Sequence, residues 1–315
     1  MILERINMYR VKSLLGAMAL SALLIAGCQN DNQILSSADQ NDELDGLSKT
    51  NDANSSSSGE TLYGMTTSNK LLAFNSAEPR RIISSLRVTG LQLGEELLAI
   101  DFRPANGKLY GLGSTSRLYV IDAQTAVATA VGSAPFTPAL DGNAFGFDFN
   151  PTVDRIRVVG ENGQNLRLNP DLGTVVDFDP VAAGIQPDLN LNYATTDVNV
   201  GRNPLVVGAA YTNPDNDPAT GTTLYDIDGR LDILATQAPP NNGVLNTRGA
   251  LGFNFEKLVG FDISISGTAY ATVKANNRRN GYSGLVSVDL VTGLITRIGI
   301  VGTSEPIRGL AVPVQ

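Results

Sequence analysis

The sequence predicts an all-β fold, a five-bladed β-propeller of four-stranded antiparallel blades closed by strands from the two ends of the chain. Three observations carry that expectation. One phrase occurs twice, as "AIDFRPANGKLYGLG" (99–113) and "GFDFNPTVDRIRVVG" (146–160), which signals an internal repeat. Short runs rich in β-branched and aromatic residues alternate with Asn/Pro/Gly/Ser turns, and no amphipathic helix stands between them. The two termini also supply complementary parts of one further unit. A β-sandwich or an open stack of sheets is the alternative.

The units begin with paired strands in "LLAIDFRPANGKLYGLG" (97–113), "FGFDFNPTVDRIRVVG" (145–160), "ATTDVNVGRNPLVVGAAY" (194–211) and "LVGFDISISGTAYATV" (258–273). Alternation of period two places Phe147 and Phe149 on one face and Gly146 and Asp148 on the other. Third strands follow in "RLYVID" (117–122), "NLRLNP" (165–170), "TTLYDID" (222–228) and "GLVSVDL" (284–290), and fourth strands in "AVATAVG", "TVVDFD", "LDILATQ" and "LITRIG". Unit starts near residues 98, 145, 195 and 259 leave a long third spacing, which implies inserted loops at 180–193 and 212–222. Each small sheet leaves an apolar face that only a neighbouring sheet covers, so repetition of this kind reads as propeller blades. The N-terminal segment "TLYGMTTSNKLLAFNSAEPRRIISSL" (61–86) has strands two to four without a first, whereas "IRGLAVPV" (307–314) is a first strand with nothing after it. Joined, they make the fifth blade and remove the open edge.

The chain has 315 residues, 42% of them hydrophobic and 17% charged, with 32 Gly and 15 Pro, which is enough to bury a full core. Histidine and tryptophan are absent and Cys28 is the single cysteine. Ser-His-Asp and Cys-His catalysis, histidine-ligated zinc and an intramolecular disulfide are therefore excluded. Neither a G-x-x-x-x-G-K-[ST] loop nor a G-x-G-x-x-G between strand and helix occurs, so the glycines make no phosphate cradle.

Arg10 and Lys12 precede the apolar run "LLGAMALSALLIAG" (14–27), which has the length of a signal-peptide core and ends in "LIAGC". That ending resembles the bacterial lipobox, with Ile25 where leucine is commonest. The resemblance implies a lipoprotein signal peptide over 1–27, started at Met1 or Met8, and lipidation at Cys28. An ordinary secretory signal with an incidental cysteine, or a short membrane anchor, is the alternative. Acyl chains contribute about 0.8 kcal/mol per buried methylene, so several would fix the chain to a membrane. Gln29 is not the aspartate that retains lipoproteins at the inner membrane, which favours the outer membrane in a Gram-negative cell. Removing residues 1–27 takes away Arg5, Arg10, Lys12 and Glu4, and the net charge moves from −8 to −10. Such a chain repels nucleic acid and anionic lipid. Residues 28–60 hold the lipidated cysteine and a tether of Asn, Asp, Ser and Gln with too few apolar residues to fold, and 61–315 form the propeller domain. The tether's random-coil span is about 30 Å.

The stretches "FGFDFNPTVDRIRVVGENGQNLRLNPDLG", "GAAYTN", "TTLYDIDGRLDILATQAPPNNGVLNTRGALG" and "GLVSVDLVTG" resemble the bacterial domain-of-unknown-function family 4394, over essentially 61–315. The resemblance implies an extracytoplasmic location and supplies no catalytic residues.

Asp101, Asp148, Asp197 and Asp262 take equivalent places on the expected innermost strands, with Ala311 in that place in the fifth blade. Facing the axis, such a ring would suit a ligand or Ca²⁺, a hard cation that takes carboxylate and carbonyl oxygens. The alternative is structural, each carboxylate accepting hydrogen bonds that fix its own blade, and recurrence in four blades favours it. Asp215 and Asp217 in "TNPDNDPATGTT" (212–223) are weaker metal candidates, since the EF-hand spacing and its closing Glu are missing. The basic "NNRRN" (276–280) reads as a hairpin tip. No catalytic residue and no cofactor other than Ca²⁺ is expected.

The expected function is a cell-envelope lipoprotein whose propeller is a non-enzymatic binding module, its partner an envelope protein or ligand. The alternative is a carbohydrate-active hydrolase or lyase using Asp/Glu carboxylates at the propeller mouth, about 5–9 Å apart. Aromatics at 6% and the absence of Trp disfavour sugar stacking in either reading.

Overall fold

The computed structural model describes residues 59–254, 260–274 and 282–314. The signal peptide, Cys28, the tether up to residue 58 and the basic stretch 276–280 lie outside the described residues. Within them the chain is all-β, with one short 3-10 turn at Pro240–Asn242.

Five small antiparallel sheets make the blades. Blade I is β4 (Leu97–Phe102), β5 (Leu109–Gly113), β6 (Arg117–Ile121) and β7 (Ala128–Val131). Blade II is β8 (Phe145–Asn150), β9 (Arg155–Gly160), β10 (Asn165–Asn169) and β11 (Thr174–Val175). Blade III is β13 (Val206–Tyr211), β14 (Leu224–Asp228), β15 (Ile233–Gln237) and β16 (Val244–Ala250), with the short β12 (Asn192–Tyr193) added parallel to β16 at its outer edge. Blade IV is β17 (Gly260–Ile263), β18 (Ala269–Val273), β19 (Gly284–Val288) and β20 (Ile295–Ile300). Blade V joins the C-terminal β21 (Ile307–Ala311) to β1 (Thr61–Thr66), β2 (Lys70–Asn75) and β3 (Glu78–Arg87).

The predicted circular closure is present. Tyr63 pairs with Ala311, Gly64 with Leu310 and Met65 with Gly309 in an antiparallel ladder. Neither end of the chain could form that sheet alone.

The hydrophobic residues fall into five clusters that follow the five seams. Leu112 and Leu118 of blade I meet Phe147, Phe149 and Ile156 of blade II, while Met65 and Leu71 of blade V meet Leu97 and Ile100 of blade I. Val207 and Ile227 of blade III meet Phe261 and Ile263 of blade IV, and Leu285 of blade IV meets Leu62 and Phe74 of blade V. Val159 of blade II packs among Val206, Ala209 and Tyr211 of blade III. A strand with a blade on either side is buried on both faces, which is why every residue of β4 and of β13 is buried.

Blade III departs from the expected layout. Its first strand is Val206–Tyr211, whereas residues 194–202 form successive turns, with Asp197 N–H on the Ala194 carbonyl and Val200 N–H on the Asp197 carbonyl. "TTLYDID" therefore supplies the second strand, "LDILATQ" the third and "VLNTRGA" the outermost. Apolar alternation in "TTDVNV" imitates a strand, and the local hydrogen bonds of Asp and Asn outcompete the ladder.

The innermost strands approach one another closely at glycines. A Cβ on Gly146 would stand 2.5 Å from the Ala209 nitrogen, and one on Gly260 would stand 2.6 Å from the Leu310 nitrogen. Backbone cannot yield as a flexible side chain does. Gly146→Ala is expected to cost about 1–3 kcal/mol by overpacking. Urea denaturation measures it, and an unchanged midpoint would show that the strands stand further apart.

Candidate functional site

The axis of the propeller gathers carboxylates. Counting along each innermost strand from the point of closest approach, equivalent positions are Asp101, Asp148, Ala210, Asp262 and Ala311. The three aspartates are only 4–6% exposed, and one carboxylate oxygen from each lies within 4.8 Å of the others.

Backbone amides hold them there. Asp101 Oδ1 accepts the N–H of Phe102 at 2.7 Å, and its Oδ2 accepts the N–H of Phe149 in blade II at 2.8 Å. Asp262 repeats the arrangement, accepting from Ile263 at 2.6 Å and from Val312 at 2.6 Å. Asp148 is favoured as a carboxylate by the amide of Tyr211 in blade III. Asp101 and Asp262 therefore each tie their own strand to the next blade, rather than fixing their own blade alone. The Asp262–Val312 link lies across the seam that the C-terminal strand closes.

Burial raises the pKa of all three groups. Asp101 is pushed well above the ordinary carboxylate range by burial and then by the charge of Asp262, and Asp148 by burial and then by Asp101 and Asp262. For Asp262 burial also dominates, the amides of Val312 and Ile263 pull the other way, and the group stands at about 7. Three carboxylates this close cannot all be ionised without a counter-charge, so they share protons or a cation. The oxygen donor set suits Ca²⁺. The axis itself is nearly filled: the cavity beside Gly146, Gly208, Gly260 and Gly309 measures about 10 Å³, room for a single water-sized sphere.

Asp197 does not join the group. The blade III strand that reaches the axis is β13, which has Ala210 at that position, and Asp197 sits in the preceding turns. There its carboxylate accepts from the Thr247 N–H at 2.6 Å and the Thr247 hydroxyl at 2.8 Å, pinning the turn to the outer strand. Asp215 and Asp217 are exposed, and each closes its own turn, accepting from Asp217 N–H at 3.0 Å and Ala219 N–H at 2.9 Å. Among the described residues they form no group of three carboxylates.

A buried polar network has no counterpart among the residues that sequence pattern singles out. Arg157 on β9, 2% exposed, pairs with Asp188 at 2.6 Å, and Arg167 meets the same carboxylate at 2.8 Å. Arg157 also donates to Asn165 on β10 and to Asn241, so that Asp188 ties blade II to the long connection before blade III and Asn241 ties it to the turn after β15. Asp226 on β14 is fully buried with neither oxygen hydrogen-bonded, and burial raises it to about 8 against the opposing charge of Arg157. The one visible signal is arginine inside an apolar strand, "RIRVVG". Its partner Asp188 lies in a loop with no spacing rule to mark it. Arg103 plays a similar part between blades I and II, reaching Asp154 and Asp171.

Residues 70–311 match the family described as Domain of unknown function (DUF4394). The chain belongs to that family. No curated protein matches the DUF4394 chain. Among solved structures it is similar to a structural-genomics protein of unknown function from Bacteroides thetaiotaomicron VPI-5482, at 16% identity and a TM-score of 0.42. That similarity covers 77% of the DUF4394 chain and 58% of the other.

Proposed function

We propose that the DUF4394 domain is a non-enzymatic binding module, lipid-anchored through Cys28 in the cell envelope and held off the membrane by its polar tether. The observation that carries this reading is the engagement of the axial carboxylates. They sit behind closely packed strands with backbone amides on their oxygens, so a substrate could not reach them without parting the blades. Carboxylates used this way stiffen a ring and leave recognition to its loops. The exposed connection 212–223, which carries no ladder of its own, is the loop best placed for a partner. The loop at 180–193 is less so, because Asp188, Leu191 and Tyr193 are buried within it.

The test uses the full chain as bait against the native envelope, beside a variant in which residues 214–220 are replaced by a short Gly/Ser turn. The expected result is a partner recovered by the natural chain and lost from the variant at unchanged melting temperature. Equal recovery would remove this loop as the binding surface. Turnover of a glycoside panel that disappears in Asp101→Asn, with the fold intact, would replace the binding reading by the hydrolase.

A further inference from the structure

The seam between blades IV and V, beside Glu60 just before β1, contains a cavity of about 470 Å³. Its polar lining is Glu60, Ser76, Ser266, Thr268, Tyr270 and Ser287, and Ala77 and Ile298 give it an apolar side. Five of these polar groups are hydroxyls, one is a carboxylate and none is basic. Such a lining rejects anions, and the net charge of −8 adds an attraction for cations.

The polar groups are held in place. Glu60 N–H donates to Ser76 Oγ at 2.9 Å, and Ser76 N–H donates to the Glu60 carbonyl at 2.8 Å, which fixes Glu60 beside blade V. The Tyr270 hydroxyl reaches from blade IV to Ser76 Oγ at 3.4 Å. Ser266 links Ser264 at 2.8 Å to Thr268 at 3.1 Å in a chain of hydroxyls along the wall. Glu60 Oε2 is buried without a hydrogen-bond partner in the protein. A carboxylate oxygen left in that state is costly unless a donor reaches it.

We propose that this cavity binds a small hydroxylated primary amine, its ammonium group donating to Glu60 and to the hydroxyls of Ser76 and Tyr270. The hydroxyls of the ligand meet Ser266, Thr268 and Ser287, and its carbon skeleton lies against Ile298 and Ala77. The volume exceeds what a bare metal ion needs, and the apolar side suits methylene groups. The proposal rests on the binding reading above and assigns it a ligand class, at a different surface from the 212–223 connection.

The full chain is titrated calorimetrically with ethanolamine, glucosamine, glucose, glucuronate and CaCl₂. Saturable binding of both amines is expected, with glucose at least about tenfold weaker and glucuronate weaker still. Glu60→Gln should weaken the amines roughly tenfold. Ala77→Trp should block them from the exposed rim, with both variants melting as the natural chain does. No saturable binding of either amine, equal binding in Glu60→Gln, or binding of Ca²⁺ with displacement of the amines would each overturn the assignment. Amine binding retained by the 214–220 variant separates this site from the loop: loss of partner capture alone leaves the pocket standing, and loss of amine binding alone leaves the loop standing.

Discussion

Asp101→Ala and Asp262→Ala are each expected to destabilise the domain by about 2–5 kcal/mol, because each removes the carboxylate that accepts two buried backbone N–H groups. At this size that is a fall of roughly 5–15 °C in melting temperature. Asp148→Ala should cost less, since the amide of Tyr211 is its one favourable partner in the next blade. Removing any one of the three also relieves repulsion among them, which places the net effect toward the lower end. Melting curves of the three variants, with and without calcium, decide between amide clamp and cation site. A clamp predicts the ranking just given and no response to calcium. A large calcium-dependent rise in melting temperature, lost in Asp148→Ala, would show that the trio holds a cation.

Stability should be greatest near about pH 4–5 and fall by a few kcal/mol between roughly pH 5 and pH 8. The acids raised by burial, Asp262 at about 7 and Asp226 at about 8 together with Asp101 and Asp148, carry protons in the folded state that the unfolded chain releases above about pH 4. Their contribution is thus complete below the unfolded pKa and is lost as pH rises through the folded values. Glu305 behaves oppositely: the hydrogen bond from Lys70, then that from Ser68, holds it at about 2, so its contribution is present above the unfolded pKa and lost on further acidification. Asp226→Asn should flatten the decline between about pH 5 and pH 8 by up to one proton, because its neutral amide takes up none on folding. Urea midpoints measured across that range test it. An unchanged slope in the variant would mean that Asp226 is ionised in the folded protein, held by Arg157.

The axial aspartates and the Arg157–Asp188 pair differ in how they are written into the chain. Asp101, Asp148 and Asp262 follow a strand pattern that repeats in register, so their common position is visible before their contacts are. Asp197 falls in with them on pattern because "TTDVNV" has the same alternation as a strand, and only competition between a turn and a ladder removes it. Blade III also has a long connection before it and an extra parallel strand on its outer edge, so its repeat is out of step with the others. The Arg157–Asp188 pair joins a strand to an irregular loop. Its two members come together through packing, which leaves no periodic mark in the chain.

The all-β architecture, the count of five blades and the closure of the last by both termini are legible in the chain alone, because strand alternation, turn chemistry and a fixed repeat are properties of neighbouring residues. So are the chemistries closed to a protein without histidine. Three-dimensional packing was needed to settle which strand of blade III reaches the axis, that three carboxylates rather than four meet there, and that they clasp the next blade's amides. Those outcomes depend on distances between segments far apart in the chain, where burial and mutual charge act and local pattern has no influence.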